Sequence, residues 1–273
     1  MRKYQGSFKK ERGVRLIENL VRPIKVAIVG KGGVGKTVIV VLLAKVISKD
    51  YNYKLLLIDA DPTHPHLCNM LKIKPKKTLE ELRLDAIKNA HIAKQNPQKL
   101  AEKIDFDIYE GMAESKDFCI FSMGQPEGPG CFCPSNILLR RVIESISQDF
   151  DLILIDAEAG LEQINRKVFA SIDILLIITD SSLRSLETAN SIKNHAKKFT
   201  NYKRIGVIIN KANENIEFLV EKLKELNLPL IGTIPVDNIV SEFDLHGNPL
   251  IDLPDNSKSL KSIRILIKDI LPF

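Results

Sequence analysis

The amino-acid sequence predicts a single α/β domain built on a mostly parallel central sheet of about seven or eight strands, with helices on both faces. Two observations carry this prediction. Short runs of consecutive apolar residues recur along the chain and alternate with segments of helical periodicity, a pattern typical of strands buried on both faces. The chain has 273 residues, of which 44% are hydrophobic, so one large core is available.

The predicted elements alternate between strand and helix from residue 25 onward. The strong strand candidates are 25–29, 54–58, 152–155, 174–178 and 206–209; the weaker ones are 106–109 and 118–121, and 230–233 is the expected last strand. A helix is expected from Val38 to about Ser48. A second, amphipathic helix packed on the sheet is expected from the spacing of Leu260, Ile263, Leu266, Ile267 and Ile270.

Residues 1–23 precede the first strand and carry seven basic side chains against two acidic ones. Their few apolar residues have helical spacing, which also allows a short docked helix. We interpret them as a basic extension without a dedicated role, ahead of one domain over 24–273.

Charge and hydropathy narrow the function classes. The net charge of +6 permits a nucleic-acid or acidic-lipid partner without requiring one, and we expect neither nucleic acid nor membrane as a partner. No apolar run approaches the roughly 20 residues that cross a bilayer. The N-terminus lacks the apolar segment of a secretory signal. The four cysteines do not form a disulfide-like framework, so a cytoplasmic location is expected.

The loop Gly30–Thr37 follows the first strand and precedes the first helix. Its two glycines, spaced around four residues and followed by Lys and Thr, match the pattern of a phosphate-binding loop. Lys36 would reach the β- and γ-phosphates and Thr37 would offer its hydroxyl to Mg²⁺. The alternative is an ordinary glycine-rich turn. The residues expected to hold ATP or ADP are Gly32, Gly33, Val34, Gly35, Lys36, Thr37 and Val38.

Polar residues follow the other strong strands where each strand ends. In open parallel sheets, ligands bind outside the carboxyl ends of the strands, so these residues are expected to converge. Together with Gly30 at the end of the first strand, these residues are Asp59, Asp156, Thr179, Asp180 and Asn210. Asp156 is expected to hold Mg²⁺, directly or through a water. For Asp180 we expect a role in starting the next helix.

The loop with its extra lysine, Lys31, resembles the deviant phosphate loop of a class of dimeric ATPases that includes septum-site ATPases and the nitrogenase iron protein. The resemblance implies that Lys31 contacts phosphates in the facing subunit. The Asp59–Pro62 stretch resembles the first switch of that class, and this implies that Asp61 positions or deprotonates the attacking water while Asp59 supports it. Taken alone, Lys31 also fits a solvated loop lysine, and Asp61 a turn residue before proline.

Two later stretches resemble the base-binding segments of the same class. The resemblance implies that Asn210, followed by Lys211, reads the adenine edge. It also implies that the backbone around Pro235, Val236 and Asp237 lines the base.

Cys131 and Cys133 lie one residue apart in a glycine- and proline-rich loop over 124–134. In extended backbone their thiols share a face, which favours a metal site. Two thiolates do not complete a tetrahedral site, so further ligands come from elsewhere in the chain or from a second copy across a two-fold axis. Thiolates suit Zn²⁺, Cu(I), Fe–S clusters and, in planar form, Ni²⁺. The alternative is burial as two inert thiols, which is the expectation for Cys68 and Cys119.

The stretches 123–133 and 156–162 resemble the ATPases that insert nickel into carbon monoxide dehydrogenase and acetyl-CoA synthase. The resemblance implies Ni²⁺ or Zn²⁺ bound by Cys131 and Cys133 across a dimer. It also implies that the run beginning at Asp156 joins the Mg²⁺ site to the dimer interface. Gln163 stands where this family often has histidine, which leaves the client enzyme open.

The leading hypothesis is an ATP-hydrolysing metallochaperone that forms a homodimer when nucleotide or metal is bound. Its client would be carbon monoxide dehydrogenase, acetyl-CoA synthase or a related metalloenzyme. A positioning ATPase acting on membrane or DNA is one alternative, suggested by the basic excess and the C-terminal apolar stripe. An Fe–S cluster carrier ATPase is the other, although it would place its cysteines in two distant loops.

Overall fold

The computed structural model of the chain describes residues 23–61, 66–88, 106–124, 147–157, 171–213 and 216–271. The strands are β1 (Ile24–Gly30), β2 (Leu55–Asp59), β3 (Ala113–Glu114), β4 (Cys119–Ser122), β5 (Leu152–Asp156), β6 (Ser171–Thr179), β7 (Asn201–Ala212) and β8 (Leu230–Pro235). The helices are α1 (Lys36–Asp50), α2 (His66–Leu71), α3 (Leu79–Lys88), α4 (106–111), α5 (Leu183–Phe199), α6 (Glu217–Glu225), α7 (Asn238–Leu245) and α8 (Lys258–Ile270). Short 3₁₀ turns lie at Ser147–Asp149 and Leu250–Asp252.

The eight strands form one sheet in the order β3-β4-β2-β5-β1-β6-β7-β8. All neighbours are parallel except β3, which pairs with β4 in the antiparallel sense. This confirms the predicted fold class. Parallel neighbours need long crossovers, so β1 acquires its two partners from β5 and β6, far along the chain.

The core lies on both faces of the sheet, because side chains alternate along each strand. Val26 and Ile28 of β1 point into one cluster, which also contains the buried residues of α1 and α8. Ala27 and Val29 point into a second cluster, which contains the buried residues of α3, α5 and α6. Burial on both faces explains why the strands read as continuous apolar runs.

Helix α8 confirms the prediction for the C-terminal apolar stripe. All five residues of the stripe are buried, and the helix packs against α1 and β8. Ser257 begins the helix by accepting a hydrogen bond at Oγ from the backbone N–H of Leu260, at 3.1 Å. Within the described ranges, no helix is long and apolar enough to cross a membrane.

One strand prediction is wrong. Residues 106–109 lie in helix α4. Of its apolar residues, Ile108 is fully buried, whereas Phe106 and Tyr109 are 65% and 43% exposed. In a strand, residues 106 and 108 would point to the same face. In the structure only Ile108 of the two is buried in the core. The two-residue strand β3 was not predicted, because so short a segment leaves no periodicity to read.

Residues 1–22 of the predicted basic extension lie outside the described residues. The domain division at residue 24 therefore stays a prediction, although β1 begins at Ile24.

Candidate functional site

The phosphate loop connects β1 to α1 and owes its shape to glycine. Gly30 ends β1 with φ +151°, and a Cβ there would overlap the carbonyl oxygen of Ile178 on β6. Gly35 is the N-cap of α1 with φ +90°, and a Cβ there would lie 2.5 Å from Asn210 Nδ2. At Gly30 a side chain would strain the backbone and overlap another strand's backbone, whereas at Gly35 it would strain the backbone and displace the Asn210 amide.

The loop delivers a helix N-terminus to the carboxyl edge of the sheet. Lys36 and Thr37 begin α1, and this turn carries no acidic side chain. Lys36 Nζ donates to the Lys31 backbone oxygen at 3.4 Å, so its ammonium folds back over the loop. Unpaired N–H groups and the helix dipole make such a terminus suitable for phosphate. Gly32 and Gly33 are exposed, whereas Val34 is buried beneath them.

Two carboxylates face each other across adjacent strands at this edge. Asp59 ends β2 and Asp156 ends β5, and their Cα atoms are directly paired in the sheet register. Strand β1, which leads into the phosphate loop, is the other neighbour of β5. The structure therefore brings together the loop and both aspartates, as the strand-end argument predicted.

Asp156 is 3% exposed and lies within hydrogen-bond reach of Thr37. Burial raises the pKa of Asp156 to about 6, although the Thr37 hydrogen bond and the Lys36 charge oppose this shift. Among the described residues, no group donates to its buried Oδ1. A buried carboxylate oxygen without a donor, next to a hydroxyl, is a ligand set that suits Mg²⁺. The residues at this position therefore fit the metal predicted for Thr37 and Asp156.

Asp59 is fully buried, and its environment is different. Burial and, secondarily, the charge of Asp156 raise the pKa of Asp59 to about 8, so that this carboxyl is largely protonated at neutral pH. Its Oδ1 accepts from the Asp61 N–H at 3.4 Å and its Oδ2 from the Leu67 N–H at 3.2 Å. Asp59 thus braces Asp61 and the start of α2, which agrees with the supporting role predicted for it.

Asp61 lies two residues beyond β2 and is half-buried. Its charge raises the pKa of both Asp59 and Asp156, which places its carboxylate close to the other two. The structure therefore puts Asp61 at the same edge as Lys36 and Thr37. Pro62, which follows it, lies outside the described residues.

One polar residue beside Asp59, Ser122, was not predicted. Ser122 ends β4, its Cα is paired with that of Asp59, and its side chain bonds the buried thiol of Cys68. Burial raises the pKa of Cys68 to about 12, so this cysteine is the inert thiol that the sequence suggested. Cys119, by contrast, is partly exposed rather than buried. Ser122 directly follows the weaker strand candidate 118–121, so the sequence already places it at a strand end.

The predicted base-binding residues come from β7 and β8, which are neighbours. Asn210 is 6% exposed, and its Nδ2 donates to the Val34 carbonyl oxygen at 2.8 Å. Lys211 follows with φ +51°, in the left-handed region. Ala212 is paired with Pro235, so Val236, which follows Pro235, lies beside this strand end. These residues therefore sit at the same edge of the sheet as the phosphate loop.

Asp237 has a side-chain role that the sequence did not suggest. Its carboxylate accepts from Ser257 Oγ at 2.6 Å, from the Ser259 N–H at 2.9 Å and from the Ile239 N–H at 3.0 Å. Burial alone would raise the pKa of Asp237, but these hydrogen bonds bring it below its usual value. The side chain thus joins the starts of α7 and α8, and only the backbone of this residue is left for a base contact.

Asp180 serves the start of helix α5, as expected. Its Oδ1 accepts from the Ser182 N–H at 3.0 Å. Ser182, rather than Asp180, is the N-cap, and it accepts from the Ser185 N–H at 3.3 Å.

The predicted metal ligands Cys131 and Cys133 lie outside the described residues, as do 125–130, Glu158, Glu162 and Gln163. The described part of the loop reaches Gly124. Just before it, Met123 donates its N–H to the Asp59 backbone oxygen at 2.8 Å. The loop therefore leaves the sheet next to the paired aspartates. Within the described ranges, no group of three or more His, Cys, Asp or Glu residues is arranged to hold a metal.

Comparison with known proteins places this geometry in context. A family model for the CobQ/CobB/MinD/ParA nucleotide-binding domain, CbiA, matches residues 25–250. An ATP-binding protein of Methanocaldococcus jannaschii is 37% identical over 251 residues, which is 90% of this chain and 98% of the relative. The carbon monoxide dehydrogenase accessory protein CooC of Rhodospirillum rubrum is 30% identical over 244 residues, covering 84% of this chain and 90% of the relative.

Solved structures share the fold. The septum site-determining protein MinD of Pyrococcus horikoshii, complexed with Mg-ADP, superposes with a TM-score of 0.68 at 20% identity. The superposition covers 90% of this chain and 95% of that one. At this identity the likeness speaks for the fold of the sheet and its helices.

Proposed function

The chain belongs to the CobQ/CobB/MinD/ParA nucleotide-binding family, and from this we propose that it is a Mg²⁺-dependent ATPase acting as a homodimeric metallochaperone. Its ATPase domain would occupy residues 24–273, with the basic extension before it. Its metal would be nickel or zinc, and its client carbon monoxide dehydrogenase, acetyl-CoA synthase or a related metalloenzyme. The observation that best supports this proposal concerns Asp156. Its Oδ1 is buried beside Thr37 and has no hydrogen-bond donor among the described residues.

The phosphate loop would bind ATP through the N–H groups of Gly32–Val38 and through Lys36. Thr37 and Asp156 would hold Mg²⁺, which neutralises phosphate charge when bound. Asp61, half-buried at the same edge, would orient the attacking water and accept its proton. The neutral carboxyl of Asp59 would hold Asp61 without adding a second full charge next to Asp156.

Base binding would involve Asn210, Lys211 and the backbone of Pro235–Asp237. These positions lie at the carboxyl ends of β7 and β8. In the sheet, β6 is the neighbour of β1, which leads into the phosphate loop, and β7 and β8 follow β6. The order of the strands therefore allows one nucleotide to extend from the loop toward this end of the edge.

A homodimer would form over this same edge, with Lys31 reaching the phosphates of the facing subunit. Three exposed apolar side chains support such an interface, and each follows the carboxyl end of a different strand. They are Leu183, Phe218 and Val236, at 49%, 55% and 51% exposure. Apolar side chains at the edge that binds nucleotide would link nucleotide binding to association.

The metal would be held by Cys131 and Cys133 from each subunit. Support comes from the Met123–Asp59 backbone bond, since it attaches the start of this loop to the strand that leads to Asp61. A change at the phosphates would thereby reach the cysteine loop. The relative CooC is an accessory protein of carbon monoxide dehydrogenase, which supports a client of that kind.

The alternative of a positioning ATPase loses one of its two supports. The apolar stripe of α8, which a membrane-binding helix would have to expose, is buried against β8 and α1. The basic excess of the sequence is the remaining argument for that alternative.

A metal titration tests this function. Purified protein would be titrated with Ni²⁺, Zn²⁺ and ferrous sulfide, with and without ATP, beside a Cys131→Ser/Cys133→Ser variant and a Cys119→Ser control. We expect about one Ni²⁺ or Zn²⁺ per dimer, lost in the double variant and kept in the control. Metal that stays bound to the double variant contradicts the proposal. Binding to DNA or liposomes without metal would favour the positioning ATPase, and a brown, redox-active protein the Fe–S carrier.

A further inference from the structure

The phosphate loop and the predicted base-reading residue are directly bonded to each other. Asn210 Nδ2 donates to the Val34 carbonyl oxygen at 2.8 Å, between residues that are 6% and 1% exposed. The neighbouring Gly35 makes room for this bond, because a Cβ on Gly35 would lie 2.5 Å from Asn210 Nδ2. The contact is thus enclosed and closely packed.

This bond fixes which way the Asn210 amide faces. A carbonyl oxygen can only accept, so the amide nitrogen, and not Oδ1, must face Val34. That arrangement leaves Oδ1 and the second hydrogen of Nδ2 outside the bond. Among the described residues, no hydrogen bond reaches Oδ1, and the residue as a whole is 6% exposed. The amide therefore has one acceptor and one donor left in a fixed order.

The backbone around Asn210 is also held in an unusual conformation. Lys211 has φ +51°, which is uncommon for a residue with a side chain. The pairing of β7 with β8 is irregular between Ile209 and Ala212. Irregularities of this kind re-aim side chains at strand ends and recur at functional sites.

We propose that the Val34 carbonyl sets base selectivity, because it locks the Asn210 amide with its acceptor and its remaining donor directed to the base. Adenine offers an amino donor beside the N7 acceptor, which complements that order. A base with an oxygen at position 6, such as guanine or hypoxanthine, would set that oxygen against Oδ1. Because the same amide holds the phosphate loop, base recognition and loop order are coupled. The proposal rests on the proposed ATP site.

Two glycine variants separate this lock from ordinary loop damage. Gly35 and Gly33 both have left-handed φ, +90° and +80°, so alanine strains the backbone at either position. A Cβ on Gly33 meets nothing within 4 Å, whereas on Gly35 it meets the Asn210 amide. Gly33→Ala is therefore the matched control for Gly35→Ala.

The readout is the ratio of the dissociation constants of Mg-IDP and Mg-ADP, measured by calorimetry on the full chain. IDP differs from ADP in carrying oxygen in place of the amino group. We expect a ratio of at least about tenfold in the wild type and in Gly33→Ala, and about one in Gly35→Ala and in Asn210→Ala. A ratio preserved in Gly35→Ala but lost in Asn210→Ala overturns the lock and leaves base reading by Asn210 intact. A wild type that binds neither nucleotide refutes the ATP site itself.

A measurement on the wild type keeps the test independent of variant folding. The side-chain amide protons of Asn210 would be followed by NMR without nucleotide, with the exposed Asn248 as reference. We expect the amide held by Val34 to exchange with solvent at least about tenfold more slowly. Exchange as fast as that of Asn248 contradicts the proposal.

Discussion

At the scale of single residues, Asp59 and Asp156 show how two carboxyl groups in register take different charge states. The pKa of Asp59 rises to about 8 through burial and the nearby Asp156, whereas the pKa of Asp156 rises only to about 6 because Thr37 and Lys36 oppose the shift. At neutral pH the pair therefore holds about one proton, which burial favours on Asp59. The pair supplies one negative charge for a cation and one neutral brace for Asp61.

The proposed role of Asp61 predicts a loss of turnover without a loss of binding. Asp61→Asn keeps the size of the side chain but removes its capacity to accept a proton. We expect Mg-ATP to bind with nearly unchanged affinity and hydrolysis to fall by about 10²-fold or more. Phosphate release under saturating ATP measures the effect, with the exposed Asp244→Asn as control. Normal hydrolysis by Asp61→Asn would remove this residue from the chemistry.

The raised pKa of Asp59 predicts how the stability of the ligand-free protein depends on pH. The folded state keeps a proton on Asp59 up to about pH 8, whereas the unfolded chain releases it near pH 4. Between these values the free energy of unfolding should fall as pH rises, by about 1.4 kcal/mol per unit for one proton. Urea titrations from pH 5 to 7.5 measure this slope, which should be smaller in Asp59→Asn. Equal slopes in both proteins would show that Asp59 is ionised when folded.

Much of the site could be predicted at this scale, because strand ends in a parallel sheet converge. That rule found Asp59, Asp156 and Asn210 from local sequence alone. It could not find the bond between Asn210 and Val34, which joins residues 176 positions apart. The pKa shifts were equally out of reach, because they depend on burial and on neighbours that only the folded chain assembles.

At the scale of elements, the strands that are buried on both faces were predictable and the peripheral segments were not. Strand β5 is buried throughout, so its continuous apolar run identified it as a strand. Helix α4 was mistaken for a strand because four residues do not distinguish the two periods. Two of the three donors to Asp237 were not predictable either, since Ser257 and Ser259 begin a helix about twenty residues later.

The three hydrogen bonds that Asp237 accepts predict that replacing this residue lowers the stability of the protein. Asp237→Ala leaves the Ser257 hydroxyl and the N–H groups of Ser259 and Ile239 without their acceptor at the starts of α7 and α8. We expect a loss of about 2–4 kcal/mol in the free energy of unfolding at pH 7. Urea denaturation measures it, beside Asp244→Ala in the same helix.

The pH dependence of this loss has a defined sign. Because the pKa of Asp237 is lowered in the folded state, its contribution is present above about pH 4 and disappears as pH falls through the lowered pKa. The difference between Asp237→Ala and wild type should therefore shrink in acid. A loss no larger than that of Asp244→Ala would show that water satisfies these donors.

At the scale of the whole molecule, one edge of the sheet carries every proposed nucleotide contact. The loop after β1, the aspartates that end β2 and β5, and Asn210 near the end of β7 all lie there. The family and the fold could be predicted from the order of these motifs. The metal site could be predicted only in part, because a pair of thiols has to be completed from elsewhere, and Cys131 and Cys133 do not name the remaining ligands.

The proposed homodimer predicts that two inactive variants restore each other. In that dimer, Lys31→Ala would lack the lysine proposed to reach the facing subunit, and Asp61→Asn would lack the acid proposed to orient water in its own subunit. In a mixed dimer, the Lys31→Ala subunit keeps Asp61 and receives Lys31 from its partner, so one of two sites works. Equal mixing should therefore yield roughly a quarter of wild-type ATPase activity.

Phosphate release after mixing and re-equilibration measures this restoration. The control mixes Lys31→Ala with a variant carrying both substitutions, which should stay inactive because no lysine is supplied. Absence of restoration in the first mixture would place Lys31 within its own subunit.

The position of β1 at the centre of the sheet has a consequence for biosynthesis. Ile24 is paired with Leu152 and Val26 with Ile174, so β1 is synthesised long before the strands that pair with it. A ribosome that has released only the phosphate loop has not yet made the backbone that holds Gly30 in place, nor the amide that bonds Val34. At the proposed site, ATP would therefore bind only after the nascent polypeptide has emerged past β7.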